Sequence, residues 1–288
     1  MKVVGFTFIR NAIKYDYPIE EAIRSILPIC DKVIVSVGNS EDDTRKLVEN
    51  IAPNRIEIID TVWDEALREG GKVLAVETDK AKAALPDDTD WAIYIQGDEV
   101  LHEDGLEAIR NQMLASKDDG RVEGLLFDYQ HFYGSYDYVG DSTQWYNKEV
   151  RIIKNDPDIY SFRDAIGFQK KGRPLRVKKS GGTIHHYGWV KDPRIMQKKQ
   201  ESFNKLWHSD NWMEENIANA DAFDYSKIDL LHKFQGTHPS VMQNRIARLN
   251  WGFNHDISTN KTTLKDRFKN LAASLGLEIG YKNYRLLR

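Results

Sequence analysis

The chain has 288 residues, of which 41% are hydrophobic, and this is enough to bury a sizeable core and to argue against a disordered protein. Its 41 lysines and arginines nearly balance its 44 aspartates and glutamates, and the formal net charge is −3. This balance is not typical of a protein whose main task is to hold nucleic acid, so no nucleic-acid partner is expected. The function must therefore be sought in a local site.

No apolar run approaches the roughly 20 residues that span a bilayer, and the N-terminal segment lacks the apolar stretch of a signal peptide. We therefore expect a cytoplasmic protein. The single cysteine, Cys30, excludes an internal disulfide and a Cys-x-x-Cys metal site. It lies in an apolar run, residues 26–35, which predicts a buried side chain.

The first hundred residues alternate predicted strands with predicted helices. Apolar and β-branched runs predict the strands, and apolar residues at helical spacing predict the helices. In chain order these are strand 2–9, helix 18–27, strand 32–37, helix 41–51, strand 55–62, helix 71–85 and strand 90–95. This order predicts an α/β fold with a mostly parallel sheet that helices cover on both faces. Such sheets bind ligands at the carboxyl ends of their strands.

After a predicted helix at 104–116, the pattern changes to strands that suit a mixed sheet, at 123–133, 148–154 and 182–189. From Asp192 onward the chain is predicted to be mainly helical, with Asp192-Pro193 as the cap and residues 195–206 carrying the periodicity. We therefore expect one domain at 1–206 and a helical C-terminal extension at 207–288.

The C-terminal tail, residues 261–288, has seven basic and two acidic residues interspersed with apolar ones. This composition suits a peripheral contact with the anionic inner face of a membrane. It suits equally a helix that packs on the domain and turns a basic face to solvent.

The fourth predicted strand runs directly into Gln96, Gly97, Asp98 and Glu99. Carboxylate oxygens are ligands that Mg²⁺ and Mn²⁺ prefer, and these ions bridge nucleotide phosphates. Strand alternation sends neighbouring side chains to opposite faces, so only one of the two carboxylates is expected to be a ligand. Gly97 would let a ligand approach the backbone. The alternative is an acidic turn that only ends the strand.

Two adjacent histidines, His185 and His186, lie in a later apolar strand bounded by glycines. Only one can face a site, and a single histidine there would more often be a hydrogen-bonded structural residue. No His-x-x-x-His spacing supports a helical zinc site. The P-loop and Gly-x-Gly-x-x-Gly patterns are also missing from the sequence, which argues against a P-loop enzyme and a dinucleotide-binding dehydrogenase.

The order of these features resembles the family-2 glycosyltransferases, which have the GT-A fold, one α/β domain whose first hundred residues bind a nucleotide-sugar. Residues 6–11 are similar to that family's first strand end, and residues 40–44 to its Gly-Ser-x-Asp-x-Thr helix start. Residues 90–99 are similar to the strand that ends in Asp-x-Asp-Glu at the metal, and residues 186–189 to its late His-Tyr-Gly element. The resemblance covers about residues 2–206. It implies a nucleotide-sugar-binding half at 1–103 and an acceptor half at 104–206.

The resemblance also implies where the donor binds. Its nucleoside would rest against Phe8, Arg10 and the turn from Val37 to Asn39, with Gln96 and Gly97 beside the diphosphate. The candidates for neutralising phosphate are Lys80, Arg151, Lys191 and Arg194. Each of these could equally be an ordinary surface cation.

By the same resemblance, Mn²⁺ or Mg²⁺ would bind at Asp98 and His186. The sequence departs from the family at two positions, because the family usually has aspartate in place of Val37 and often in place of Gln96. The first departure leaves the nucleoside contacts open. The second departure makes Asp98 the main carboxylate ligand. A weakly held metal, or no metal, is therefore also compatible with the sequence.

A transferase of this kind needs a base for the acceptor hydroxyl. The resemblance suggests Asp164, with Asp128 as the second candidate, although Asp164 could equally cap a helix or form a salt bridge. An aromatic-rich stretch that includes Tyr129, His131 and Trp145 suits the stacking of an acceptor sugar, or a plain core.

The leading hypothesis is therefore an inverting glycosyltransferase that acts on a saccharide or lipid-linked acceptor. A sugar-nucleotidyltransferase and a non-catalytic nucleotide- or saccharide-binding module are the alternatives.

Overall fold

The computed structural model describes residues 1–67, 70–142, 145–216, 220–228, 230–260 and 282–287. Within these residues the fold is α/β, as expected. Among the helices so described, none is both long and apolar enough to cross a membrane. The side chain of Cys30 is buried, which confirms the prediction from its apolar run.

Thirteen strands in the described ranges form the sheet. They are β1 (Val3–Ile9), β2 (Lys32–Gly38), β3 (Ile56–Thr61), β4 (Trp91–Tyr94), β5 (Glu99–Leu101), β6 (Gly124–Tyr133), β7 (Tyr138–Gly140), β8 (Lys148–Lys154), β9 (Ile159–Phe162), β10 (Gly167–Lys170), β11 (Arg173–Trp189), β12 (Leu231–Lys233) and β13 (Tyr284–Leu286). The first four agree with the predicted strands to within one or two residues.

The central part of the sheet has the order β3-β2-β1-β4-β8-β6-β11. Within this path β1 to β4 run parallel, β8 is antiparallel to both of its neighbours, and β6 and β11 run parallel to each other. The sheet is thus mixed and mostly parallel, which confirms the expected architecture. The carboxyl ends of β1, β2 and β4 meet at one edge.

The described α-helices are α1 (Ile19–Ile26), α2 (Thr44–Ile51), α3 (Lys72–Ala83), α4 (Leu106–Ala115), α5 (Pro193–Asn204), α6 (Asp210–Asn216) and α7 (Gln243–Ala247). Side chains of α1, α2 and α4 pack in one core cluster, and those of α3 pack in a second. Neighbouring β1 residues divide between the clusters, with Val3 in the first and Val4 in the second. This alternation follows from the two-residue period of a strand and shows that helices cover both faces.

A fully buried ion pair joins β5 to β8. The Arg151 guanidinium lies 2.7 Å from Glu99 Oε1, and both side chains have 0% exposure. The rings of Tyr94 and Tyr129 each lie 5.3 Å from the guanidinium carbon. Because its charge is already paired inside the core, Arg151 is not available to neutralise a phosphate, contrary to the sequence-based suggestion.

The start of α5 agrees with the predicted cap, because the Asp192 carboxylate accepts a hydrogen bond of 2.9 Å from the Arg194 backbone N–H. The helical extension at 207–288 is not confirmed. Its described part contains α6 and α7 but also β12, which pairs with β7, and β13, which pairs with β11. The membrane contact predicted for the tail falls mainly on residues 261–281 and 288, which lie outside the described residues.

Candidate functional site

A cleft of about 1150 Å³ opens at the carboxyl edge of the parallel strands. Its walls come from the ends of β1 and β11, the segment between β4 and β5, the turn between β9 and β10, and the end of α5 with the residues after it. The lining residues that matter for the chemistry are Phe8, Arg10, Tyr17, Trp63, Gln96, Gly97, Asp98, Asp164, His186, Lys199 and Trp207. The sheet edge predicted to hold the site therefore does form a cavity.

One end of the cleft carries aromatic rings and a cation. The rings of Phe8 and Trp63 lie 5.8 Å apart between centroids, and the Arg10 guanidinium lies 5.6 Å from the Trp63 ring centroid. Arg10 is held in place because its Nε donates to the backbone carbonyl of Asn39 over 3.1 Å. Flat aromatic surface beside a fixed guanidinium suits a nucleobase and its ribose or phosphate.

Asp98 lies in the middle of the cleft, between β4 and β5. β5 pairs antiparallel with β11, so that His186 lies opposite Glu99, and the Tyr187 N–H donates to the Asp98 carbonyl over 2.8 Å. His186 Nε2 lies 3.7 Å from Asp98 Oδ1. Gly188 makes this convergence possible, because a Cβ there would lie 2.6 Å from His186 Nε2 and 2.8 Å from Asp98 Oδ2. Asp98 and His186 are thus brought together as predicted.

The nearest cation to Asp98 in the described structure is Lys199 of α5. Its Nζ donates to Asp98 Oδ2 over 3.1 Å and to the carbonyl of Gly188 over 3.0 Å. Burial raises the pKa of Asp98, but the charges of Lys199, His186 and Lys191 outweigh burial and hold that pKa well below its usual range. Asp98 is therefore a carboxylate whose charge an ammonium of the same chain compensates.

A second lysine approaches the same place. Lys191 Nζ lies 4.7 Å and Lys199 Nζ 4.8 Å from the ring centroid of Tyr17. Lys191 is fully buried and donates to the carbonyl of Asp16 over 2.6 Å. Burial, together with the charge of Lys199, lowers the pKa of Lys191 to about 7. The side-chain amines of Lys191 and Lys199 thus both lie over the Tyr17 ring, and Lys199 also contacts the Asp98 carboxylate.

His131 fixes the tautomer of His186. His131 Nε2 lies 2.6 Å from the Tyr146 carbonyl, which can only accept, so this nitrogen carries a proton. Burial, and then the nearby His186 imidazole, hold the pKa of His131 well below its usual value, so the ring is neutral and its Nδ1 accepts. His186 Nδ1, 3.1 Å away, must therefore donate. In neutral His186 this leaves a lone pair on Nε2, directed into the cleft beside Asp98.

Asp164 lies on the turn between β9 and β10, and both of its neighbours have left-handed backbone, with φ of 54° at Arg163 and 62° at Ala165. Such conformations in non-glycine residues persist where the surroundings hold them. Here the Gln96 side-chain amide donates to the Ala165 carbonyl over 3.1 Å and to the Tyr94 hydroxyl over 3.3 Å. Burial raises the pKa of Asp164. Gln96 therefore supports the turn that presents Asp164 to the cleft.

These contacts bear on whether Mn²⁺ or Mg²⁺ fits between Asp98 and His186. Such ions favour several oxygen ligands, with one or two carboxylates beside the substrate phosphates. Here Gln96 is directed toward Ala165, Glu99 is paired with Arg151, and Lys199 holds Asp98. In the part of the chain that the structure describes, no three metal-ligating side chains come together. The donor set is thus one imidazole and one compensated carboxylate, which does not fit a divalent-metal site.

Four predicted residues are not among those that line the cleft. The Val37 side chain is buried in β2, and the Asn39 side chain accepts from the backbone N–H of Trp63 over 3.3 Å. Lys80 pairs with Glu77 on α3, 2.6 Å away. The side chain of Asp128 is 61% exposed, and its Oδ1 lies 3.5 Å from Lys148 Nζ. Asp128 is not among the residues that line the cleft with Asp98 and Asp164, and its role as a second candidate base stays a prediction.

The predicted acceptor residues are turned mainly inward. Tyr129 is 6% exposed and donates its hydroxyl to Glu99 over 2.9 Å. His131 is 3% exposed and engaged by His186, and Trp145 packs against the His131 ring with centroids 5.1 Å apart. The three residues share a small separate cavity of about 400 Å³. Their role in acceptor binding stays a prediction.

The sequence argument missed Lys199, Trp63, Tyr17 and Trp207. Trp63 had a signal, because it follows the end of β3 at the same sheet edge as the ends of β1 and β2. Lys199 had none, since it lies within an ordinary helical stretch and reaches Asp98 across 101 positions of sequence.

Solved structures with a similar arrangement include TarS from S. aureus, at 14% identity and a TM-score of 0.42 over 77% of this chain and 41% of TarS. Glucosyl-3-phosphoglycerate synthase from Mycobacterium tuberculosis, in complex with Mn²⁺, UDP and glucosyl-3-phosphoglycerate, is 17% identical over 46% of this chain and 45% of that one, with a TM-score of 0.30. The 4-diphosphocytidyl-2C-methyl-D-erythritol synthase from Anaerococcus prevotii is 10% identical over 54% of this chain and 70% of that one, with a TM-score of 0.33.

The chain therefore spans less than half the length of TarS and of the mycobacterial synthase. No family model and no curated protein matches it. With every one of these TM-scores below 0.5, the function has to be argued from the cleft itself.

Proposed function

We propose that the chain is a glycosyltransferase that takes a sugar from a nucleotide-diphospho-sugar. The observation that carries the proposal is the arrangement inside one cleft. An aromatic and guanidinium surface at Phe8, Trp63 and Arg10 shares this cleft with the Asp98–Lys199 pair and with a half-buried carboxylate, Asp164. A nucleobase, a diphosphate and a reacting sugar hydroxyl need these three kinds of surface.

In this proposal the base stacks on Phe8 and Trp63, and Arg10 contacts the ribose or the first phosphate. Gly97 lets the Ile9 side chain pack closely against the segment that carries Asp98, because a Cβ there would lie 2.8 Å from that side chain. The diphosphate is placed against Lys199, the cleft-lining lysine at Tyr17, since charge-assisted hydrogen bonds are the strong ones in phosphate recognition.

We further propose an inverting transfer. The acceptor hydroxyl attacks the anomeric carbon while the bond from that carbon to the diphosphate oxygen breaks, and the hydroxyl proton passes to the Asp164 carboxylate. Burial raises the pKa of Asp164, which makes its carboxylate a better proton acceptor than an exposed aspartate. The acceptor is a hydroxyl of a saccharide or of a lipid-linked precursor. Cytoplasmic location remains a prediction from the sequence, whereas the expected Mn²⁺ or Mg²⁺ does not suit the residues around Asp98 and takes no part in this proposal.

A non-catalytic nucleotide-binding module is the second candidate. It is favoured by one observation, that Gln96 replaces a carboxylate of the family motif and binds the protein's own backbone at Ala165. Such a module would bind the donor but would leave Asp164 without a reaction to assist. Release of sugar from a bound donor therefore separates the two functions.

The first test is a thermal-shift screen of UDP-, GDP-, CMP- and dTDP-sugars, with Mn²⁺ and with EDTA. A ligand at 100 times its dissociation constant stabilises the folded state by about 2.7 kcal/mol, which the screen detects. We expect one nucleotide class to raise the melting temperature and Asp98→Asn to reduce that response. Asp128→Asn, which changes an exposed aspartate outside the cleft, is the matched control and should respond like the wild type. If none of the nucleotide-sugars stabilises the protein under either condition, the proposal is wrong.

A further inference from the structure

We infer that the Lys199 ammonium takes the place of a divalent cation at the donor diphosphate, so that donor binding and transfer need no metal. This inference rests on the proposed function, and it concerns what neutralises the phosphates. It starts from the position of Lys199, whose Nζ lies 3.1 Å from the carboxylate oxygen of Asp98 in the cleft.

Lys199 is held in this position by the fold. The Asp192 cap begins α5 directly after β11, and the helix then carries Lys199 back over the end of that strand. There its Nζ donates to the carbonyl of Gly188, 3.0 Å away, and lies over the Tyr17 ring. The residue is 9% exposed, so its long side chain has already lost its freedom before a ligand arrives.

The charges around the Tyr17 ring leave no excess of carboxylate for a divalent cation. Asp98 contributes one negative charge, while Lys191 and Lys199 both place an amine over the ring. A divalent-cation site needs the opposite balance, with carboxylates in excess of nearby cations. Glu99 does not restore that balance, since its charge is paired with Arg151 in the core.

The amide side chain of Gln96 also argues against a divalent-cation site. An amide in place of a carboxylate removes one negative charge from the segment that ends at Asp98, and this amide donates to Ala165 and Tyr94. An amide at position 96 and the Lys199 ammonium at Asp98 both make the surroundings of Asp98 less negative. Together they leave the cleft able to accept a diphosphate without an added cation.

The chemical step is balanced without a metal. The acceptor oxygen forms the new bond to the anomeric carbon, the electrons of the old bond leave with the diphosphate oxygen, and the acceptor proton goes to Asp164. Lys199 stabilises the charge that develops on the diphosphate through an N–H···O hydrogen bond, and it stays protonated throughout.

The test measures the binding of UDP, GDP, CDP and dTDP by calorimetry, in EDTA and in Mn²⁺. We expect the wild type to bind one of them with the same affinity, within about twofold, in both conditions. Lys199→Met should weaken that binding on the order of 10- to 100-fold in EDTA, since it removes a charge-assisted hydrogen bond. Mn²⁺ should restore part of the affinity of this variant only, because Asp98 and the Nε2 lone pair of His186 become free to bind it.

Two variants control the experiment. Lys46→Met changes an exposed lysine on α2 and should bind like the wild type in both conditions. Lys199→Arg keeps the positive charge and should retain binding in EDTA. If Lys199→Met fails to fold by circular dichroism, the wild type and Lys199→Arg still decide the question.

Wild-type binding that appears in Mn²⁺ and disappears in EDTA would overturn the inference and leave the proposed glycosyltransferase function intact. A failure of all four nucleotides in both conditions would overturn the proposed function together with this inference. Equal wild-type affinity in both conditions, lost in EDTA by Lys199→Met, supports it.

Discussion

The two faces of β11 place adjacent histidines in opposite surroundings. His186 faces the cleft with Asp98 at 3.7 Å and the His131 ring behind it. His185 faces an aromatic cluster that we define as His102, Phe132, His185, Tyr187, Phe234 and His238, in which each of the other five rings lies within 6.2 Å of the His185 centroid. One strand thus builds the wall of the cleft on one side and part of the core on the other.

The comparison shows that residue type alone does not assign a function, whereas the charges facing a residue do. The cleft side presents Asp98, Lys199 and Asp164 to a cavity. On the other side His185 shares a hydrogen bond with the Tyr187 hydroxyl over 3.2 Å, and burial, followed by the charges of His102 and His238, lowers its pKa to about 3. A neutral, packed imidazole stabilises the fold, and an imidazole beside a compensated carboxylate can contact a ligand.

The largest effect is expected for Asp164, a carboxylate that lines the cleft. Asp164→Asn should lower the turnover of the sugar transfer by roughly 10²- to 10⁴-fold, because a general base contributes about that much. The affinity for the nucleotide should stay within about threefold of the wild type, since the variant keeps the shape of the turn. Steady-state turnover and calorimetric affinity measure the two quantities separately.

Asp128→Asn serves as the control for this experiment, because Asp128 is an exposed aspartate on β6 outside the cleft. It should leave turnover unchanged. Full activity in Asp164→Asn would remove Asp164 from the mechanism, whereas nucleotide binding without any transfer by the wild type would favour the binding-module alternative.

The next effect tests the two faces directly. His185→Ala should lower the free energy of unfolding by about 3–4 kcal/mol, the usual cost of truncating a fully packed ring, and should leave nucleotide affinity unchanged. His186→Ala should weaken nucleotide binding on the order of tenfold and should destabilise the fold less, because its side chain borders the cleft. Urea denaturation and calorimetry of the matched pair give both quantities. The reverse pattern would show that the faces are assigned the wrong way round.

Much of the fold was predictable because its signals are local. The first four strands and the helices between them are predicted from apolar runs and periodicities within about 10 residues. These patterns arise because each element buries one or both of its faces. The start of β11 was missed, although Leu175 and Val177 are fully buried and alternate with Arg176 and Lys178. The many basic residues in this stretch concealed the alternation of buried and partly exposed side chains. Its compensation is non-local, since Glu123 accepts from Arg173 over 2.7 Å.

The residues of the site were likewise predictable only where the sequence carries a local signal for them. Asp98, Phe8 and Arg10 lie at or near strand ends that a sequence pattern can locate, whereas Asp164 was suggested by the family resemblance, and the structure brings all four into one cleft. Lys199 could not be found, because a helix surface gives no sign of which distant carboxylate its lysine will meet. The choice between His185 and His186 also needed the register of β5 against β11, and that register depends on packing across the sheet.

The smallest effect is expected for Glu149, a buried carboxylate that lies on neither face of β11. Glu149 on β8 accepts from Asn283 Nδ2 over 2.7 Å, and burial raises its pKa from 4.5 to about 7. The folded state therefore binds this proton more tightly than the unfolded state does. Its contribution to stability is complete below about pH 4.5 and is lost as the pH rises through about 7.

Glu149→Gln should remove roughly 2–3 kcal/mol of this pH dependence and raise stability at pH 8, because glutamine resembles the protonated acid and still accepts from Asn283. Urea denaturation between pH 4.5 and pH 8 measures it, with Glu20→Gln on the surface of α1 as the matched control. Neither variant should change nucleotide affinity, because neither residue lines the cleft. An unchanged pH profile in Glu149→Gln would mean that Glu149 is ionised in the folded protein, with Arg151 rather than a proton compensating its charge.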